Sequence, residues 1–319
     1  MKMLSFNVRG VASRVKWRRI REIVVEEQVD MILIQETKLQ EVSTRLCYAL
    51  WGDGNFDWKA KPAINRAGGL LCIWRKDTFK LHDCLMGNGF IGLLGSWGEH
   101  EVDCVIVNVY SSCILEEKRT LWAQLVEWKR RSAVLAWCVA GDFNAIRPVD
   151  ERRGVAEMSN HILNEIAEFN SFIDNLEVMD IPIHGRKYTW FKPNGQSMSR
   201  LDRFLVSQGW ASTWPHCFQV VLDRDISDHC PLLLRLVAQN WGPKPFRVLN
   251  CWFQHHSFKK FVEDSWTKLQ VQGRGIFIFK EKLKMLKADL KKWNVKVFGD
   301  VNASRRGLVK RLGELDALA

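Results

Sequence analysis

The sequence predicts an α/β fold in which two β-sheets are sandwiched by helices, and three observations carry that expectation. Apolar runs of strand length recur along residues 1–236, segments of helical period lie between them, and no fixed repeat links the two. The composition, 47% hydrophobic and 26% charged, is that of a globular chain with a sizeable core. At 319 residues the chain is long enough for two domains.

Leu4-Ser5-Phe6-Asn7-Val8 reads as a short strand, followed by a helix near 14–28 on the spacing of Trp17, Ile20, Ile23 and Val24, and then by the buried strand running from Asp30 to Glu36. Further strands are predicted at 69–74, 90–97 and 102–110, then a helix through Leu121, Leu125 and Trp128, a strand over 133–141, and a helix near 162–176. Strand signals return at 188–191, 201–206, 218–222 and 232–236. Asn240-Trp241-Gly242-Pro243-Lys244-Pro245 is a turn-forming linker, which divides the chain into a domain over 1–239 and a basic segment over 240–319.

Charge separates the same two parts. The net charge of +11 comes from 30 Lys and Arg against 29 Asp and Glu before residue 240, and 17 against 7 from there on. Such asymmetry suits either a polyanion-binding segment or a solvated lysine-rich helix. In that segment Ile276, Phe279, Leu283, Leu286, Leu290, Trp293 and Val297 alternate steps of three and four, the seam of a helix that wants a partner. Leu308, Leu312 and Leu315 begin a second stripe after Gly299-Asp300. No apolar run reaches the ~18–20 residues of a membrane span, and Lys2 and Arg9 interrupt any signal-peptide core. Nine cysteines, odd in number and without a Cys-x-x-Cys pair, read as small core residues.

Several strands end in polar residues. Asn7 ends the first, Glu36 the next buried strand, and Asp142 with Asn144 the strand that leads into Gly141-Asp142-Phe143-Asn144; Asp202 and the Asp228-His229 pair come later. A hard cation such as Mg²⁺ takes carboxylates plus water and phosphate oxygens, and phosphodiester hydrolysis needs a group to activate water and donors for the developing charge. Singly, each of these residues reads more readily as a structural residue of a turn, loop or helix start than as a functional one.

As an ordered set they say more. Ser-Phe-Asn-Val-Arg-Gly at 5–10, Gln-Glu-Thr at 35–37, Asn-Val-Tyr at 108–110, Gly-Asp-Phe-Asn at 141–144, Thr-Trp at 189–190, Ser-Arg-Leu-Asp-Arg at 199–203 and Ser-Asp-His-Cys-Pro at 227–231 resemble, in order and spacing, the endonuclease/exonuclease/phosphatase superfamily, which includes DNase I and the apurinic endonucleases. The resemblance covers roughly residues 1–236, and its finer match is to the endonuclease domain of plant LINE-type (non-LTR) retrotransposon polyproteins. Gly242-Pro243-Lys244-Pro245-Phe246-Arg247 and Leu290-Lys291-Lys292-Trp293-Asn294 are similar to the connector that leads to a reverse transcriptase in those polyproteins. None follows here, so a truncated element, a gene fragment or the endonuclease part alone is expected.

The resemblance implies a four-layered, DNase I-like α/β sandwich followed by a basic helical tail. It implies Glu36 as the principal Mg²⁺ ligand, with Mn²⁺ able to substitute, Asn7 beside it on metal or phosphate, and Asp228 supporting the metal or His229. Asp142 would orient or deprotonate the attacking water, Asn144 would help hold it, and His229, oriented by Asp202, would face the scissile phosphate; which of Asp142 and His229 is the base stays open. Tyr110 would hydrogen-bond a phosphate oxygen, with Thr189 and Ser227 as further phosphate contacts and Trp190 structural.

Apurinic endonucleases generally carry an acidic residue two positions after the first Asn, where this chain has Arg9. A cation there favours a phosphate and single-metal chemistry over abasic-site specialism. Arg9, Arg147, Arg186 and Arg200 would supply DNA contacts from an otherwise near-neutral core.

The expected function is therefore a Mg²⁺-dependent DNA endonuclease, nuclear or cytoplasmic, that nicks one strand to leave a 3′-hydroxyl for reverse transcription in an intact element. RNA bound through the tail, the missing reverse transcriptase and coiled-coil self-association are further expected partners, and no membrane is. The competing readings are a phosphatase on inositol phosphates or lipids, and a catalytically dead relic that binds nucleic acid.

Overall fold

The computed structural model describes residues 1–64, 68–154, 159–236, 248 and 250–299. The chain forms two compact units, Met1–Ala238 and Gln239–Ala319. The first is built on two large mixed sheets. One runs in the order Ile183–His184, Cys217–Val221, Leu232–Leu236, Lys2–Asn7, Met31–Gln35, Leu70–Trp74, Asp57–Lys61. The other runs Val178–Asp180, Asp202–Ser207, Ala136–Asp142, Val102–Tyr110, Phe90–Trp97, Phe79–Gly87.

Strand alternation explains the layering. In Val102–Tyr110, Cys104 and Ile106 face the other sheet and pack with Leu33, Cys72, Cys138, Phe204 and Leu234. Val105, Val107 and Val109 point the other way, onto Leu121 and Leu125 of the helix Leu115–Arg131 and onto Phe169 and Phe172 of the helix Asn160–Asn175. On the first sheet Leu4 and Phe6 likewise meet Ile20 and Val24 of Arg14–Glu27 and Leu46 and Leu50 of Thr44–Trp51. The result is helix, sheet, sheet, helix, the four-layered sandwich the sequence predicts. A polar bridge crosses the inner layer, where Gln35 Nε2 donates to Asn108 Oδ1 at 2.7 Å and Asn108 Nδ2 donates to the Ile34 carbonyl at 3.1 Å.

Among the strands beyond those the sequence predicts, Asp57–Lys61 and Phe79–Gly87 are the longest and form sheet edges with polar residues along them. The strand expected over 188–191 shrinks to Trp190–Phe191, which pairs with Met198–Ser199 in a small sheet completed by Arg152–Arg153. All nine cysteines are free; Cys47, Cys72, Cys104, Cys138 and Cys230 are core residues as expected, whereas Cys113 and Cys251 are exposed.

In the second unit the helices Asn250–Gln254, Phe258–Lys268 and Gly275–Phe298 enclose a core of Trp252, Phe258, Leu269, Leu286, Leu290 and Trp293. The expected seam is thus only half used. Its C-terminal part is filled by the two preceding helices of the same unit, which supply aromatic partners such as Phe258 and Phe261 to Trp293, while Ile276 remains 89% exposed. Leu308, Leu312 and Leu315 lie outside the described residues.

Glu151, Asp180, Arg200 and Arg203 form a buried ion network. Arg203 donates to Asp180 Oδ2 at 2.8 Å and to both oxygens of Glu151, and Arg200 Nη2 reaches Asp180 Oδ1 at 2.6 Å. Burial alone would raise the Glu151 carboxyl, yet the Arg203 guanidinium holds it below the usual range. Arg203→Met leaves two carboxylates buried with too little cation and is expected to cost ~3–5 kcal/mol in urea denaturation, whereas Arg186→Met, which removes an exposed pair with Asp223, should cost at most ~1 kcal/mol.

Candidate active site

Strand register assembles the site before any side chain is considered. In the second sheet Tyr110 lies beside Asp142, and Asp142 beside Asp202, on three adjacent strands. In the first sheet Asn7 lies beside Gln35, one residue before Glu36. His229 sits just before the strand Leu232–Leu236, bridged to Trp190. Only glycine fits before Asp142, since Gly141 has φ +143° and a Cβ there would stand 1.9 Å from the Val109 carbonyl oxygen. Arg9, Glu36, Lys38 and Asn144 all adopt positive φ, between 45° and 57°, a cluster of backbone strain of the kind found at functional sites.

The side chains converge where the two sheets meet. Asn7 Nδ2 donates to Glu36 Oε1 at 3.1 Å and to Asp142 Oδ2 at 2.8 Å. Asp142 Oδ1 accepts from the Asn144 backbone at 2.9 Å, and Asn144 Nδ2 donates to the Ser111 carbonyl at 2.7 Å. Across from these, His229 Nδ1 lies 2.9 Å from Asp202 Oδ2, and His229 Nε2 lies 3.7 Å from Asp142 Oδ2. Glu36, Asp142, Asn144 and His229 border a cavity of about 560 Å³ with Arg9, Tyr110 and Trp190 in its wall.

Buried carboxylates set the protonation of this centre. Burial, and next to it Asp202, pushes the Asp142 carboxyl up, against the pull of His229. Burial works against the His229 imidazolium, but Asp202 and Asp142 outweigh it and raise the group to about 9. Burial and the Glu36 and Asp142 carboxylates raise the Tyr110 phenol well above its ordinary value, so it stays a hydrogen-bond donor.

Two overlapping sets of oxygens and nitrogens suit a cation. Glu36 and Asp142 converge on the single Asn7 amide, and the ligand atoms of Asp142, Asp202 and His229 lie within 4.8 Å of one another. Asp202 Oδ1 is buried without a protein donor, which fits a partner from outside the chain. Carboxylates with one amide are hard-oxygen donors of the kind a divalent cation takes.

A sequence profile described as the Endonuclease/Exonuclease/phosphatase family matches residues 4–229, which include every one of these side chains. The chain belongs to that family. Members of the family are hydrolases, nucleases and phosphatases among them, and are usually dependent on divalent metal. Solved structures share the fold. The AP endonuclease LMAP of Leishmania major is 20% identical with a TM-score of 0.55, over 73% of this chain and 86% of that one. The 3′ phosphatase NExo of Neisseria, bound to a product DNA hairpin, is 19% identical with a TM-score of 0.58, over 74% and 99%. The mannosyl-6-phosphatase of Bacteroides thetaiotaomicron is 16% identical with a TM-score of 0.52, over 74% and 99%. No curated protein matches the sequence.

Within this family framework, the expected site residues divide into three groups. Asn7, Glu36, Tyr110, Asp142, Asn144, Asp202 and His229 come together as described. Asp228, expected to support the metal or His229, gives its Oδ2 to the Arg9 guanidinium and to Trp190 Nε1, the latter at 3.0 Å, and its charge helps to raise His229. Thr189 and Ser227, expected at the phosphate, bond to backbone in the structure. Thr189 is fully buried, with its Oγ1 accepting from the Leu201 and Asp202 backbone at 3.0 Å, and Ser227 Oγ donates to the Asn7 carbonyl at 2.8 Å and accepts from the His229 backbone at 3.2 Å. Of the proposed DNA-contacting arginines, Arg200 is locked in the buried ion network.

Two lysines join the site without having been expected there. Lys38 Nζ stands 3.4 Å from Glu36 Oε2, and its place two residues after Glu36 was the available signal. Lys118 Nζ, 1% exposed, donates to the Asn144 carbonyl at 2.6 Å and pairs with Glu165. A lysine three residues before Leu121, on the buried face of its helix, was the mark that sequence offered.

Both raised groups lose their contribution to stability as pH rises, Asp142 between its ordinary 3.8 and about 6, and His229 between 6.5 and about 9. With chelator present, the melting temperature should therefore fall from pH 6.5 to 9 in the parent, and the fall should be distinctly smaller in His229→Gln. Equal slopes in the two proteins would show that His229 carries no extra proton in the fold.

Proposed function

We propose that this protein is a metal-dependent DNA endonuclease that hydrolyses one phosphodiester to leave a 3′-hydroxyl, and that it derives from the endonuclease part of a plant LINE-type element. The observation that carries the chemistry is the Asn7 amide held between Glu36 and Asp142, opposite a histidine oriented by Asp202. The finer assignment is supported by the ordered motifs and by the resemblance of the segment after residue 240 to the connector of those polyproteins. Work on DNA would place it in the nucleus or cytoplasm.

In this mechanism the scissile phosphate enters the cleft beside Tyr110, whose phenol donates to a non-bridging oxygen. A divalent cation, Mg²⁺ or Mn²⁺, held by Glu36 with Asp142 and Asn7 would polarise the phosphoryl oxygen and offset its charge. Asp142 takes a proton from water, which the free Asn144 Oδ1 helps to orient; the water oxygen bonds to phosphorus, the P–O3′ bond breaks, and O3′ leaves as an alkoxide that takes up a proton from solvent water, while Asp142 releases to solvent the one it accepted. His229 stays cationic because Asp202 holds its Nδ1, and it stabilises the charge that grows on phosphorus's oxygens. Asp142 is thus the base and His229 the electrostatic partner, roles that motif order alone leaves open.

Purified protein should convert supercoiled plasmid to open circles with Mg²⁺ and not with chelator. Asp142→Ala and His229→Ala should each slow nicking ~10²–10³-fold, and Glu36→Gln should raise the Mg²⁺ concentration that gives half activity. Inositol phosphates as a parallel substrate test the phosphatase reading; phosphate release from them at rates above nicking would replace the endonuclease. Parent-like nicking by both alanine variants would move the site elsewhere.

For the helix Gly275–Phe298, we propose non-specific polyanion binding through its lysines. Gln at Lys280, Lys291, Lys292 and Lys296 together should weaken duplex or RNA binding at low salt and flatten the salt dependence by ~0.7–0.9 in log–log slope for each phosphate no longer neutralised, with nicking at saturating DNA unchanged.

A further inference from the structure

A second cavity adjoins the catalytic one and has no part in the chemistry described so far. It encloses about 440 Å³, within the roughly 300–1,000 Å³ of small-molecule sites. Tyr110 and Cys113 line both cavities, so the phenol ring is the partition between them. A polymeric substrate whose phosphate is held on one side of Tyr110 can reach with an adjoining unit into the other.

We propose that this cavity seats the nucleobase adjoining the scissile phosphate, and that Asn88 and Glu117 read its edge. The inference rests on the endonuclease reading above and deepens it. One wall is apolar, formed by Leu70, Leu121 and the Tyr110 ring, and suits the flat face of a base. Asn88 and Glu117 add an amide with both donor and acceptor and a carboxylate acceptor, the groups that distinguish base edges. A phosphate is disfavoured there. Among the described lining residues the one cation, Lys61, is already donating to the Gly87 carbonyl, and Glu117 repels an anion.

The test maps nick positions on a duplex of randomised sequence. The parent should favour one base at a single position adjoining the nick by ~5-fold or more, the lower end of what a good base-edge contact supplies. Asn88→Ala and Glu117→Gln should each flatten that preference, with the summed nicking rate at saturating DNA within about two-fold of the parent. Both positions are exposed, and unchanged melting temperatures would show intact folds. A flat parent profile, or a profile unaltered in both variants, overturns the proposal. A parent that fails to nick at all overturns the endonuclease reading instead. Equilibrium titration with deoxynucleoside monophosphates of each base then decides the subsite: base-dependent binding that Asn88→Ala weakens supports it, and binding indifferent to base and to Asn88 overturns it.

Discussion

One side-chain amide holds the two halves of this enzyme in working relation. Asn7 belongs to the first sheet and donates both to Glu36, at the end of a strand in that sheet, and to Asp142, at the end of a strand in the other. Two carboxylates approaching one another in a buried place would drive the sheets apart or take up a proton. A neutral donor between them sets the spacing without cancelling the charge. The inter-sheet bridge from Gln35 to Asn108 does the same further in, so the seam that carries the chemistry is also the seam that aligns the sandwich.

That dependence explains which parts of the fold were legible in the sequence. Val102–Tyr110 and Leu232–Leu236 are central strands, and the apolar runs within them, residues 104–107 and 232–234, declare them. Asp57–Lys61 and Phe79–Gly87 are edges whose lysines and aspartates keep them from pairing onward, and the same residues hide them from a reading based on apolar runs. The tail shows the converse error. Its heptad spacing is real, but spacing states only that a face is apolar, and here Trp252 and Phe258 of the same unit cover half of it.

The site divides along the same line. Asn7, Glu36, Asp142, Asp202 and His229 could be named because each stands at a strand end in an ordered set. What they touch could not. Whether Asp228 turns toward a metal or toward Arg9 depends on loops from opposite ends of the chain, 219 residues apart, and no local pattern records such a pairing. Thr189 and Ser227 sit in motifs with the catalytic residues, yet their hydroxyls bond to backbone and hold the loops that present Asp202 and His229. Residues that brace a site and residues that act in it share the same motifs, and only burial and partners tell them apart.

Charge accounts for what such a centre needs from outside. Around the reaction point stand the carboxylates of Glu36, Asp142, Asp202 and Asp228, against the cations of His229, Lys38 and Arg9. His229 counts as a cation at neutral pH, because Asp202 and Asp142 raise it to about 9 against the effect of burial. The balance is one positive charge short of neutral. A divalent cation together with one phosphodiester brings one positive charge, so the two arriving together neutralise the centre, whereas the phosphodiester alone would deepen the deficit. Buried sites of low dielectric penalise such imbalance severely. Binding of metal and of substrate should therefore reinforce one another here through charge alone, before any bond is made. Arg152 and Lys192, at the wall of the same cavity, lie outside this inner ring and suit the phosphates that flank the scissile one.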